Sequence, residues 1–198
     1  MLFLDLDLDT FVRPVAYNRR DEDPRLSTED YSVWDTADTE RFLRERCLLD
    51  GTSPGYSSDH HVAILDVISG CIAKGILVPP FDWIHVDAHD DFWGHFSKPP
   101  NSGNFLYECI RRAWIRELTM VFPPDVFDFP AYILSADQSH IQFEGHSVPV
   151  HFSDTKSLQL TSRPDYVFFA RSPAFTPIDA DNLYNHVRGL FRECPGSA

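Results

Sequence analysis

Asp87-Ala88-His89-Asp90-Asp91 places four ionisable side chains within five residues, directly after the run Trp83-Ile84-His85-Val86. A mainly apolar run with β-branched residues that stops at acids reads as a buried strand leaving the core of an open α/β sheet, and the carboxyl ends of such strands carry ligand sites. Asp87, His89 and Asp91 are spaced two apart, so an extended chain points all three to one face. Two carboxylates and an imidazole with no cation beside them repel unless a metal ion neutralises them. A solvated acidic turn is the plain alternative. Residues 2–11 repeat the theme: Leu2, Leu4, Leu6 and Leu8 alternate with Asp5, Asp7 and Asp9 around Phe3. Aspartate is disfavoured in strands, and three on one face point to the same metal chemistry. The third candidate is Asp59-His60-His61, at a loop-to-helix junction. Spacing alone leaves open whether His60 or His61 is the ligand, and Asp5 or Asp9.

These residues must be held by a single domain, 1–198, of ordinary composition: 43% hydrophobic and 24% charged. The net charge of −13 argues against nucleic acid and anionic membranes, both of which need a basic patch, and suits a cationic substrate or bound metal ions. Cys47, Cys71, Cys109 and Cys194 form no paired motif, which fits a reduced, cytoplasmic compartment. No run of about eighteen apolar residues is present, so no membrane span is expected. A strand begins within two residues of Met1, leaving no room for a signal peptide.

Between the candidate residues, 12–37 reads as a long surface loop, the kind that often serves as a lid. Asp38 is expected to cap a helix reaching Leu49, and 51–55 to break the chain. Tyr56 to His61 should open an amphipathic helix carrying Ile64, Leu65, Ile68 and Ile72 inward, with Gly75 as its stop. A strand at 82–87, an irregular stretch 93–104, a helix from Asn104 to Ile115 and a strand at 118–122 follow. Several short strands occupy 131–171, with 166–170 looking fully buried. A last helix runs from Asp179 to about Cys194. Strands alternating with helices predict an α/β, three-layer architecture with a mostly parallel central sheet.

Together the three stretches resemble the binuclear metal sites of the arginase, agmatinase and deacetylase superfamily, which carries a Gly-Gly-Asp-His-Ser loop, an Asp-Ala-His-x-Asp strand end and an Asp-x-Asp strand end. Residues 87–91 match the second motif at every defined position. Asp59-His60 matches the core of the first, with Ser57-Ser58 in place of the glycines, and Asp7-Leu8-Asp9 fits the third. The Asp-x-Asp motif normally comes last and here comes first, the order of a circular permutation. The peptide arginase branch, which converts arginine to ornithine within ribosomally made peptides, shares that Asp-Leu-Asp start, a His-His helix opening and a later Ser-Pro-x-x-Thr-Pro, here 172–177.

The resemblance implies an arginase-like fold in which residues 2–8 form a central strand parallel to 83–87. It implies two divalent ions, most suitably Mn²⁺, with Asp87 and Asp7 bridging, His60 and Asp91 on one ion, and His89 and Asp9 on the other. Asp91 would orient the nucleophile. Ser102 and Asn104, in a Ser-Gly-Asn that arginases use on the substrate's amino-acid end, would bind substrate. The arginase proton-shuttle position falls on Leu106, which leaves His95 as the candidate. Glu29 and Glu144 are candidates for the guanidinium-binding acid. The function implied is hydrolysis of arginine residues in a precursor peptide to ornithine and urea. Its rivals are a small-molecule ureohydrolase, a deacetylase-like amidohydrolase, and a non-catalytic metal-binding protein on the same scaffold.

Overall fold

The computed structural model describes residues 1–93, 99–124, 126 and 129–194. In chain order the elements are β1 (Leu2–Asp7), β2 (Val12–Arg13), β3 (Ser32–Val33), α1 (Thr36–Arg41), β4 (Pro54–Ser58), α2 (Ile64–Ala73), β5 (Phe81–Val86), α3 (Phe105–Arg111), β6 (Ile115–Phe122), β7 (His140–Phe143), β8 (His146–Asp154), β9 (Tyr166–Ala170), α4 (Ala180–Arg188) and β10 (Arg192–Glu193). Eight strands make one sheet in the order β10-β4-β9-β1-β5-β6-β8-β7. All neighbours are parallel except the edge hairpin β7–β8. Helical crossovers impose that pattern on most of the sheet.

β1 is central and parallel to β5, as expected: Leu4 lies opposite Ile84 on one side and Val167 of β9 on the other. Its two faces meet different layers. Leu4, Leu6 and Leu8 pack with Leu43, Leu183 and Val187 beneath α1 and α4. Phe3 packs on the opposite face with Ile64, Ile68 and Leu106 of α2 and α3. Helices therefore cover both faces, giving three layers. Phe3 also meets the rings of Phe81, Trp83 and Tyr166 at centroid distances of 5.4, 4.7 and 6.0 Å. Burying one such side chain stabilises the fold by about 1.5–3 kcal/mol. Asp5 and Asp7 share the Phe3 face yet are fully buried, so their charge needs local compensation.

Several boundaries differ from expectation. α1 starts earlier, because Asp35 rather than Asp38 accepts from the Ala37 N–H at 2.7 Å, and it passes into a π-helical turn, Phe42–Arg46. The supposed break at 51–55 runs into strand β4. A Cβ at Gly55 would lie 2.6 Å from the Phe191 ring and 2.7 Å from the Val167 carbonyl, so the glycine that reads as a breaker is there for close packing. The following helix begins only at His61, through a 3₁₀ turn. The last helix ends at Arg188, and Arg192–Glu193 adds an edge strand beside β4. Among the described residues no helix is long and apolar enough to cross a membrane. Cys47, Cys71 and Cys109 are buried free thiols, and Cys194 is half-buried.

Candidate metal centre

The carboxyl ends of β1, β4, β5 and β9 open on a cavity of about 370 Å³, floored by Asp7, Asp9, His61, Asp87, His89 and Asp91. Its walls include Tyr17 and Arg19 from the long loop, Trp93, Ser102, Ser172 and Phe175. Ligand sites in open parallel sheets form at this end.

Two groups of side chains converge there. In the first, His61 Nδ1 lies 3.3 Å from both Asp87 Oδ2 and Asp91 Oδ2, and 3.0 Å from Asp7 Oδ2. His85 Nε2 approaches the same two oxygens of Asp87 and Asp91 at 3.7 and 3.8 Å. In the second, His89 Nδ1 lies 2.9 Å from Asp9 Oδ2 and 3.5 Å from Asp87 Oδ1. Asp87 belongs to both groups, one oxygen facing each.

Behind the first group, Asp5 holds both imidazoles by their far nitrogens: His61 Nε2 at 2.7 Å and His85 Nδ1 at 2.8 Å, with the Trp83 indole N–H at 3.2 Å. If each imidazole donates its proton to Asp5, the opposite nitrogen is left bare and aimed at the cluster, as metal-binding histidines require. His89 Nε2 lies 2.8 Å from the Ala16 carbonyl, which fixes its ring the same way.

The convergence does not come from strand pleating. β5 stops at Val86, and Asp87 Oδ1 accepts from the His89 N–H at 2.7 Å, turning the chain. Asp91 then adopts a left-handed conformation at φ 51°. The extended-chain expectation for 87–91 is thus corrected: a turn sends His89 to one group and Asp91 to the other. Ser172 is also left-handed, at φ 46°, and its Oγ donates to Asp7 Oδ2. Non-glycine residues hold such conformations at a cost of about 1–3 kcal/mol, and these two lie at the site.

The electrostatics are those of a site built for positive charge. Burial, then the charges of Asp7 and Asp87, push the Asp9 carboxyl up to about 8. Burial and Asp87 likewise raise Asp7, and raise Asp91 well above the carboxylate range. Burial would raise Asp87 too, but hydrogen bonds to His61 and His89 and the charge of His85 reverse this and hold it well below that range. Burial disfavours charge on His61 and His89, yet Asp5 beside His61 and Asp9 with Asp87 beside His89 hold both well above an ordinary imidazole. His85 Nε2 and Asp91 Oδ2 are buried without a hydrogen-bond partner. Such orphans are costly unless something positive lies between them. The donor set of carboxylate oxygens and imidazoles, with no thiolate, fits a divalent ion such as Mn²⁺, Fe²⁺, Co²⁺ or Zn²⁺.

A pH dependence follows. An Asp9 held at about 8 in the fold, against about 3.9 unfolded, contributes stability that is present below the unfolded value and lost as pH rises to the folded one. The raised imidazoles act in the same direction. Chelator-treated protein is expected to unfold at a lower temperature as pH rises from about 5 to 8, whereas excess Mn²⁺, which displaces those protons, should reverse the trend. Thermal melts across that range, with and without Mn²⁺, measure it; a metal-independent profile would contradict the assignment.

Of the residues singled out from sequence, Asp7, Asp9, Asp87, His89 and Asp91 meet at the cavity floor. His60 does not: it is exposed, and His61, the first residue of the 3₁₀ turn, takes the interior place. Ser102 lines the cavity and donates to Asp21 Oδ2 at 2.9 Å. Asn104 is absent from the described lining. Its Oδ1 accepts from the Asn101 N–H at 2.7 Å, which makes it a turn residue. Glu144 pairs with Arg111 at 2.9 Å on the edge hairpin, and Glu29 is exposed. Asp90 is the acid on the cavity wall beside the cluster. His95 lies outside the described residues. His85 is the addition: stepping back by two from Asp87 would have reached it, but a histidine within a buried strand reads as core. Between Asp5 and Asp9, which spacing left open, Asp9 meets the cavity and Asp5 holds the two imidazoles from behind.

Fold and site together define a three-layer α/β protein whose sheet holds a buried His/Asp centre able to bind metal. Compared with protein-family models, curated proteins and solved structures, the chain shows no match.

Proposed function

We propose that this chain is a binuclear metal-dependent hydrolase that converts arginine residues in a peptide to ornithine and urea, on an arginase-like fold with permuted motif order. The observation that supports it most is the meeting of Asp7, Asp9, His61, Asp87, His89 and Asp91 on the floor of one cavity. That is the ligand set of the resemblance, with His61 in the place of His60. Two bound divalent ions would supply Lewis acidity and a water of lowered pKa at neutral pH.

The remaining work falls to the chain. Two divalent ions would offset the four floor carboxylates, so the charge left for a guanidinium cation is that of Asp90, which also lines the cavity and whose Oδ1 accepts from the Phe92 N–H at 2.6 Å. Asp91 accepts a hydrogen bond from the attacking water and aims it at the guanidinium carbon. Oxygen adds to that carbon, its bond to the side-chain nitrogen breaks, and both water protons end on the departing amine. Ornithine leaves as an ammonium and urea is neutral, so charge and atoms balance. Among the described lining residues the only arginine or lysine is Arg19, and its Nε and Nη2 donate to the carbonyls of Ala174 and Pro24. Tyr17 and Trp93, 49% and 70% exposed, offer ring faces at the rim to neighbouring residues of an extended peptide.

The test is incubation of the Mn²⁺-loaded protein with arginine-containing peptides, read by mass spectrometry. Each modified arginine should lose the mass of one cyanamide unit, with urea appearing in equal amount. A fully metallated protein that leaves every such peptide unchanged would refute the reading.

A further inference from the structure

We infer that the two ion positions are chemically unequal: the inner one, among His61, His85, Asp87 and Asp91, fills first and favours Co²⁺ or Zn²⁺, and the outer one, at Asp9, Asp87 and His89, fills second and accepts Mn²⁺. The inference rests on the binuclear reading above, though not on its substrate.

Four observations carry it. The inner position offers two imidazole nitrogens with two carboxylates, the outer one nitrogen with two carboxylates. Imidazole-rich sets favour Co²⁺ and Zn²⁺ over Mn²⁺, both by the general affinity order and by ligand softness. The four inner His–Asp separations of 3.3, 3.3, 3.7 and 3.8 Å lie close to the ~3.4 Å edge of a tetrahedron whose metal–ligand bonds are about 2.1 Å, and all inner donor atoms lie within 4.8 Å of one another. Asp7 Oδ2, 3.0 Å from His61 Nδ1, stands by as a fifth donor.

Rigidity separates the positions further. Both inner imidazoles are held by one carboxylate, Asp5, and His85 sits within strand β5. His89 stands on a turn, held by a neutral carbonyl of the long loop. The inner histidines are 1–2% exposed, against 21% for His89. A preorganised, dry site loses less on binding and discriminates better. Finally, the buried unpartnered atoms His85 Nε2 and Asp91 Oδ2 both belong to the inner group.

The experiment is titration of chelator-treated protein with Co²⁺, followed by calorimetry and by the visible absorption of the bound ion. The wild type should bind in two steps, the first at least about tenfold tighter and giving the more intense absorption of a low-coordinate ion. Asp5→Asn should weaken that first step by roughly 10–100-fold, and His85→Ala by more. His89→Ala should leave the first step intact and weaken the second, which keeps the test readable if a buried variant fails to fold by circular dichroism. Two equal steps, an unchanged first step in folded His85→Ala, or loss of the tighter step in His89→Ala would each overturn the inference. Unequal binding without peptide turnover would overturn the hydrolase reading alone; turnover with two equal ions would overturn this inference alone.

Discussion

Replacing Asp87 with alanine is expected to empty both metal positions and to lower turnover of any guanidino substrate by about 10⁴-fold or more, since the activated water and the charge stabilisation are lost together. The reason is geometric. Asp87 Oδ2 lies 3.3 Å from His61 Nδ1 while Oδ1 lies 3.5 Å from His89 Nδ1, so one side chain serves each group. Alanine also removes the acceptor of the His89 N–H. Asp87→Asn therefore makes the better control: its side-chain oxygen can keep that 2.7 Å turn bond, but its charge is gone. Both variants should be metal-poor by elemental analysis, and the asparagine form should keep wild-type circular dichroism. A full metal complement in either would sink the assignment.

The second large effect concerns substrate. Hydrolysis of a peptide arginine is expected to exceed that of free arginine by about a hundredfold in kcat/KM, or roughly 2.7 kcal/mol of extra transition-state binding. A few peptide contacts supply that much. Tyr17 is held beside His89, its ring 5.7 Å from the imidazole and edge-on, and Phe175 meets the same imidazole at 5.1 Å. The long loop carrying Tyr17 is fastened at two points: Arg25 pairs with Asp181 of α4 at 2.8 Å, and Asp21 accepts from Ser102 of the cavity wall. A preformed aromatic rim of this kind suits an extended chain better than a small zwitterion. Matched kinetics on free arginine, agmatine and peptides decide it. Equal turnover of free arginine would leave an ordinary small-molecule ureohydrolase.

Much of the centre was legible because its chemistry violates local preference. Aspartates at alternate positions of a leucine strand, and acids ending an apolar run, are poor strand chemistry unless a function needs them. Asp7, Asp9, Asp87, His89 and Asp91 stood out on that ground. What stayed hidden was phase. The choice of His61 over His60 depends on where a 3₁₀ turn begins, and a shift of one residue exchanges inside for outside. His85 was masked by its strand neighbours, and Asp5 by a register that spacing left open. The break expected over 51–55 holds at Gly51, which is left-handed at φ 88°, but not at Pro54 and Gly55, which open β4; the close approach of Gly55 to Phe191 is a tertiary fact with no local signature. Asn104 shows the reverse error, since a motif match met a residue occupied in folding its own turn.

The placement of β1 has a consequence for assembly. Its two neighbours in the sheet are residues 82–86 and 166–170, so the middle of the sheet is made from segments far apart in the chain. Loop-closure entropy must be met before either pairing forms, which places the protein among the slower-folding topologies. During synthesis, Leu4 and Leu6 must wait for β9, more than 150 residues further along the chain, before their layer can close. Asp7 ends β1 and Asp9 lies in the 3₁₀ turn, Leu8–Phe11, that follows it. The ligands themselves lie between Asp5 and Asp91, but the strand that carries Asp5 and Asp7 is closed on its other side by β9, so the centre reaches its final setting only when residues 166–170 have joined the sheet.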